Sequence, residues 1–393
     1  MLKNKNLLII ALIALVNMLG YGIVIPILYA YSRKFGLSDF QNGLLFAMFS
    51  LCQFISTPII GRLSDKYGRR PLLLISVLGT AASFFTMAFA PSAAFLFIAR
   101  ALDGLTAGNI PVAFAVISDS TKPEDRAKAF GLIGSAFSFG FVFGPAISAF
   151  TIGLGPAIPF IIAGIITLIA ATLVAVYLPE TNAHMGEVQG GKLIDFPKLA
   201  KTLFDPNVGA TFLITLIFFL AFACALIYGF QPFTLKVLKI SQTQNAILFT
   251  IFGAVGLISQ NVLVHPLTRR LGIKKAFATG ILLTSFALLL MFFSRTLALF
   301  IAASVILGVF NSIVQTLIPT ILSQEADARS QGTIMGLNAS YQSIGMIVGP
   351  ILGGVIATVS IPLAFLAGSI LILVCYGLSF QVLRPGIHKE SAF

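Results

Sequence analysis

The sequence predicts an all-α integral membrane protein, with twelve transmembrane helices in two pseudo-symmetric six-helix bundles. Three observations predict it. Hydrophobic residues make up 58% of the 393 and charged residues only 10%, too few to cover a soluble domain of that size. Twelve mainly apolar stretches follow one another, each near the roughly 20 residues that a bilayer crossing requires. A segment of the first half reappears 205 residues further on.

The spans read as 7–31, 40–61, 71–90, 93–118, 127–150, 156–178, 208–233, 243–264, 273–293, 296–322, 331–357 and 361–382. In hydrocarbon a backbone N–H or C=O has no water to turn to, so each span is expected to close its own hydrogen bonds as a helix. Of the 25 Lys and Arg, 19 fall on segments at the side of the termini and 5 on the opposite loops, with Arg100 inside a span. That bias predicts both termini in the cytoplasm, in the inner cell membrane. The +12 net charge is therefore an orientation signal and gives no reason to invoke nucleic acid. The first apolar run is too long for the core of a cleavable signal.

Taken in order, the first span carries Asn17 and Tyr21, one helical turn apart. The second carries Cys52 and Gln53 and ends in the loop 61–71 (GRLSDKYGRRP). A plain cytoplasmic loop needs only basic residues. This one adds an acid, Asp65, and two glycines, Gly61 and Gly68, which allow close backbone approach or positive φ. Asp65 also faces a helix N-terminus, where partial positive charge favours an anion. In the fourth span, Arg100 and Asp103 lie three apart on one face, about 24 Å from Asp119 at the span's inner end, counting about 1.5 Å per residue. Charges so deep are costly and face a cavity or a partner. The pair reads in two ways. It neutralises itself and fixes packing, or Asp103 takes a proton or a cationic substrate while Arg100 tunes it.

The fifth span contains Gly140, Gly144 and Pro145. Shifted by 205 residues, these meet Gly345, Gly349 and Pro350 in the eleventh. Small residues four apart let helices pack closely, and the prolines introduce kinks. An acidic-basic loop precedes each segment, Glu124 to Arg126 and Glu325 to Arg329, and the loop 61–71 has a worn counterpart from His265 to Lys274. The domains are therefore read as 1–178 and 208–393, joined by a cytoplasmic linker, 179–207, whose part 192–205 is expected to lie along the inner surface. The seventh span carries Tyr228 and Gln231, the tenth Asn311 and Gln315, the eleventh Tyr341 and Gln342, and Asn261 lies at the end of the eighth. Cys52, Cys224 and Cys375 lie in apolar spans, far apart, and form neither a disulfide framework nor a metal set. His184 and His265 read as solvated, and His388 lies in the tail.

With these residues in view, the chain resembles the major facilitator superfamily over essentially its whole length. Gly61, Leu63, Asp65, Gly68, Arg69 and Arg70 match that family's signature between its second and third helices. Arg100, Asp103 and Gly104 resemble a second motif, and Gly140, Gly144 and Pro145 the motif associated with antiporters, although Ser148 and Ala149 replace a glycine pair. The order is similar to that of twelve-helix drug–proton exporters, the tetracycline exporters included. This chain has Asn17 where those exporters commonly carry an acid.

The resemblance implies gating by a charge relay of Asp65, Arg69 and Asp119, with Gly61, Gly68 and Arg70. It also implies a central cavity lined by the first, fourth, seventh and tenth helices, hence by Asn17, Tyr21, Tyr228, Gln231, Asn311 and Gln315, with Gln53, Asn261, Tyr341 and Gln342 as additions. The remainder of the lining would come from the 37 Phe and other apolar residues. Few charges and much apolar surface suit an amphipathic or lipophilic molecule. No phosphate-cradling Gly-x-x-x-x-Gly-Lys-Ser/Thr loop is present, which argues against ATP as the energy source.

The expectation is a secondary active transporter, not an enzyme. It would export small hydrophobic or amphipathic compounds, coupled to protons, by alternating access, with no cofactor and no metal. A single chain, a monomer, can form a complete pathway. A metabolite or sugar carrier of the same fold is the alternative. A membrane sensor that has lost transport is a remote one.

Overall fold

The structure, a computed structural model, describes residues 5–121, 123–182, 196–326 and 330–383. Most of the linker (183–195) lies outside the described residues, as do Lys122, His184, Asp327, Arg329 and His388. The described chain is helical, without strands. The elements are α1 Lys5–Arg33, α2 Asp39–Tyr67, α3 Arg69–Ala88, α4 Ala93–Ser120, α5 Pro123–Thr151, α6 Ile158–Tyr177, the short linker helix α7 Phe196–Thr202, α8 Gly209–Val237, α9 Gln242–Val262, a second short helix α10 Val264–Leu271, α11 Ile273–Phe293, α12 Leu297–Glu325, α13 Gln331–Val359 and α14 Leu363–Ser379.

Eleven helices are long and apolar enough to cross a membrane, and α14 is a shorter apolar helix of 17 residues. These are the twelve spans read from hydropathy. The last is briefer than its apolar run: the helix ends at Ser379 and residues 380–383 form a turn.

By compactness the chain divides into two units. The first comprises 1–38, 48–194 and 241–250, and the second 39–47, 195–240 and 251–393. In each unit a glycine-bearing helix packs along a neighbour. A Cβ on Gly140 would lie 2.7 Å from the Leu15 carbonyl oxygen, and one on Gly144 2.7 Å from the Gly22 Cα, so α5 lies directly on the α1 backbone. Ser148, which interrupts the expected glycine pair, is fully buried and its hydroxyl donates to the Ile23 carbonyl at 2.8 Å. In the second unit, Gly345 and Gly349 of α13 would meet the Leu216 and Leu220 carbonyl oxygens of α8 at 2.9 and 2.6 Å. There α8 widens into two π-helical stretches, Ala223–Gly229 and Phe233–Val237.

Around these seams the cores are apolar. Ile13, Val77, Val116, Ile133 and Val174 bring α1, α3, α4, α5 and α6 together in the first unit. Phe230, Phe233, Phe300 and Phe365 join α8, α12 and α14 in the second. Cys224 and Cys375 are buried and Cys52 half-buried, all as free thiols.

Candidate functional site

The loop after α2 is a single residue. α2 ends at Tyr67, α3 begins at Arg69, and Gly68 between them has a φ of 103°, a conformation that costs other residues dearly. The Gly68 N–H donates back to the Ser64 carbonyl at 3.1 Å. This reversal folds the Arg69 side chain onto the last turn of α2. Its Nη1 pairs with Asp65 Oδ1 and donates to Ser64 Oγ at 2.7 Å, while its Nε lies 3.4 Å from Asp119 Oδ2 at the end of α4.

The Arg69 side chain is only 13% exposed, against 43% and 30% for the two acids, so one partly desolvated cation joins two half-solvated anions. Arg70 turns elsewhere. Its Nη2 donates to the Ala175 carbonyl in the last turn of α6, where a cation complements the helix dipole. Gly61 has no atom within 4 Å of an added Cβ and lies within α2, so among the described residues neither close approach nor positive φ explains it.

The anion at the N-terminus of α3 is Glu180, not Asp65. Its Oε1 accepts from the backbone N–H groups of Arg69, Thr181 and Asn182, each at 2.9 Å, and its Oε2 from that of Arg70 at 3.1 Å. Burial by itself raises the Glu180 pKa, but these four donors outweigh it and hold the carboxyl below the usual glutamate range. Asn182 Nδ2 adds a bond to the Asp65 carbonyl at 3.0 Å. Sequence reasoning missed this residue. The available signal was an acid just past a proline that stops α6, but nothing in that pattern names a partner 111 residues away.

Deeper in the first unit, Arg100 Nη1 and Asp103 Oδ2 are 3.1 Å apart, and the residues are 2% and 7% exposed. The guanidinium also lies 4.4 Å from the centre of the Phe49 ring, which in turn lies 5.9 Å from that of Tyr21. Arg100 Nε is buried without a hydrogen-bond partner among the described residues.

A short 3₁₀ turn, Ala107–Asn109, interrupts α4 here. It allows Gly104 and Gly108 to approach α2, and it directs Asn109 to Asn17, whose Nδ2 donates to Asn109 Oδ1 at 2.9 Å. Gln53 Nε2 reaches the Ala107 carbonyl at 3.5 Å. Asn17, Tyr21, Gln53, Arg100 and Asp103 thus belong to one polar cluster on α1, α2 and α4. Asn109, fully buried, is its unforeseen member.

The polar residues of the second unit are more dispersed. The Tyr228 hydroxyl donates to the Asp39 carbonyl at 2.8 Å, and Lys236 Nζ lies 2.9 Å from Asp39 Oδ1. Gln231 and Asn311 are buried, and Asn311 Oδ1 has no hydrogen-bond partner among the described residues. Gln315 and Gln342 are half-buried. The Tyr341 hydroxyl donates to the Leu199 carbonyl at 2.5 Å and lies 2.7 Å from Thr202 Oγ1, so it holds the linker helix α7. Asn261 is exposed and bonds its own helix at the Leu257 carbonyl. His265 is exposed, and among the described residues no group of His, Cys, Asp and Glu could hold a metal ion.

Comparison with known proteins bears directly on this arrangement. A family model described as Major Facilitator Superfamily matches residues 10–265 and 211–392. Multidrug resistance protein 1 of Bacillus subtilis (strain 168) is 30% identical over 394 residues, covering 99% of each chain. The class C tetracycline resistance protein of Escherichia coli is 29% identical over 405 residues, again covering 99% of each. Among solved structures, a bacterial homolog of the human lysosomal transporter Spinster, in an inward-facing and occupied conformation, superposes with a TM-score of 0.77 at 16% identity, covering 97% of this chain and 98% of that one.

Proposed function

Since the chain belongs to the Major Facilitator Superfamily and is a multi-pass membrane transporter of small molecules, we propose that it exports hydrophobic or amphipathic compounds in exchange for protons, by alternating access. Asp103 carries this reading. It is the one carboxylic acid in the middle of a span, buried beside Arg100. A proton arriving there would release the Arg100 cation from its partner, and a proton leaving would restore the pair. Such a switch alters the charge of a cluster that spans α1, α2 and α4. The export direction is supported by the relatives at about 30% identity over their full length, named for multidrug and tetracycline resistance.

In this reading Asp65, Arg69 and Asp119 form the latch at the inner side, supported by the ion pairs that meet at Arg69. Two six-helix halves, 1–178 and 208–393, rock about a shared cavity. Both termini lie in the cytoplasm, in keeping with the Lys and Arg bias. The chain works as a monomer.

The test is purified protein in liposomes under an imposed pH gradient, screened against lipophilic cations and neutral drugs. Uphill movement of at least one such compound, lost in Asp103→Asn with folded protein recovered, is the expected result. Gradient-driven transport that survives Asp103→Asn would remove the proton role from this residue.

A further inference from the structure

The end of the second unit that carries basic loops presents two short amphipathic segments, each with a face left exposed among the described residues. The first is α10. Val264, Leu267 and Leu271 recur at helical spacing on one face, and His265, Arg269 and Arg270 occupy the other. No residue of α10 is buried, and Leu263 and Leu271 are each 41% exposed.

The second segment is α7 and the turn after it. Leu199 and Thr202 are buried, and Tyr341 pins that face. On the other side Pro197, Ala200 and Lys201 are exposed, and Phe204 is 86% exposed. The chain then enters α8 directly. Asp205 Oδ1 accepts from the Asn207 and Val208 N–H groups at 2.8 and 3.2 Å, and Gly209 packs against the Leu203 carbonyl. Phe204 therefore stands five positions before a membrane span, and α10 lies between two spans that meet the same side.

Among the described residues, Lys201, Arg269, Arg270 and Lys275 have no ion-pair partner. Exposed apolar side chains at a span's end, interleaved with uncompensated cations, match the boundary where acyl chains meet anionic headgroups. We propose that α10 and the α7 turn form a binding surface for anionic phospholipid in the adjoining leaflet. Val264, Leu267, Leu271 and Phe204 enter the acyl boundary, and Arg269, Arg270 and Lys201 contact phosphate. This surface is independent of the substrate and of proton coupling.

The chain contains no tryptophan, so Phe204→Trp and Leu267→Trp each create a single fluorescent reporter. Each full-length variant is reconstituted into vesicles of equal phosphatidylcholine and phosphatidylglycerol, with one or the other lipid brominated in its acyl chains. Quenching by brominated phosphatidylglycerol is expected to exceed that by brominated phosphatidylcholine about twofold or more. In Leu267→Trp, adding Arg269→Glu and Arg270→Glu should abolish that preference. Water-like emission without quenching, equal quenching by both lipids, or a preference that survives loss of both arginines would each overturn the proposal. Two reporters on separate segments keep the test decisive if one variant fails to fold.

Discussion

The turns at Gly68 and Gly272 occupy the same place in the two halves of the repeat. Their backbones agree and their charges do not. Gly272 has a φ of 78° and begins α11 as Gly68, with a φ of 103°, begins α3. Arg70 donates to the Ala175 carbonyl of α6, and Lys274, its counterpart, donates to the Phe380 carbonyl at the end of α14. However, Arg269 stands where the first half has Asp65, and Ile273 where it has Arg69. The acid at the end of α12, Glu325, has no arginine partner among the described residues. It accepts from Thr211 Oγ1 at 2.7 Å and from the Leu383 N–H at 3.0 Å, bonds that tie helix ends together. A tight reversal needs only a glycine, whereas an ion-pair latch needs an acid, an arginine and a second acid, so the first persists where the second has worn away.

The largest effect expected from this contrast is functional. Arg69→Ala leaves Asp65 and Asp119 without their shared cation, and transport measured in vesicles should fall about tenfold or more at equal protein. Arg269→Ala should stay within about twofold, since no ion pair is lost there. Equal losses from the two substitutions would break the comparison.

Next comes packing, where the halves should behave alike. Gly144→Ala and Gly349→Ala each drive a Cβ into backbone, at 2.7 Å from the Gly22 Cα and 2.6 Å from the Leu220 carbonyl oxygen. Each should destabilise by about 1–3 kcal/mol in thermal unfolding. Gly131→Ala and Gly336→Ala, at the matching positions one shift apart, meet nothing within 4 Å and should leave the melting temperature unchanged or slightly higher.

The smallest effect is the pH dependence contributed by Glu180. Its pKa in the folded protein lies below the usual glutamate value, because backbone donors outweigh burial. The stabilisation is then complete above that usual value and fades as the pH falls through the lowered one. The melting-temperature gap between the wild type and Glu180→Gln should be full at neutral pH and close as acid is added below the ordinary glutamate range. A gap that widens in acid would reverse the assignment.

Much of the fold was legible. The spans could be read one by one, as could the glycine seams of α5 and α13, because a Gly four residues from another on an apolar helix has few other uses. The turn at Gly68 carried its own signature in the combination of acid, glycine and arginine. Asn109, Glu180 and the Lys236–Asp39 pair were not legible. Each acts on a residue 92 to 197 positions away. Tyr341 was expected in a cavity, on the strength of its place on the eleventh span, and its hydroxyl instead holds α7.

Taken alone, the sequence determined that the chain crosses a membrane twelve times, that it repeats itself, and where its charges are concentrated. Lipid exacts its penalty residue by residue, so those properties are local and lie along the chain. Only the tertiary structure decided which carboxylate serves α3, which acids share Arg69 and which cations are left without partners. Hydrogen bonds and ion pairs depend on distances of about 3 Å between groups, and the packing of distant helices sets those distances.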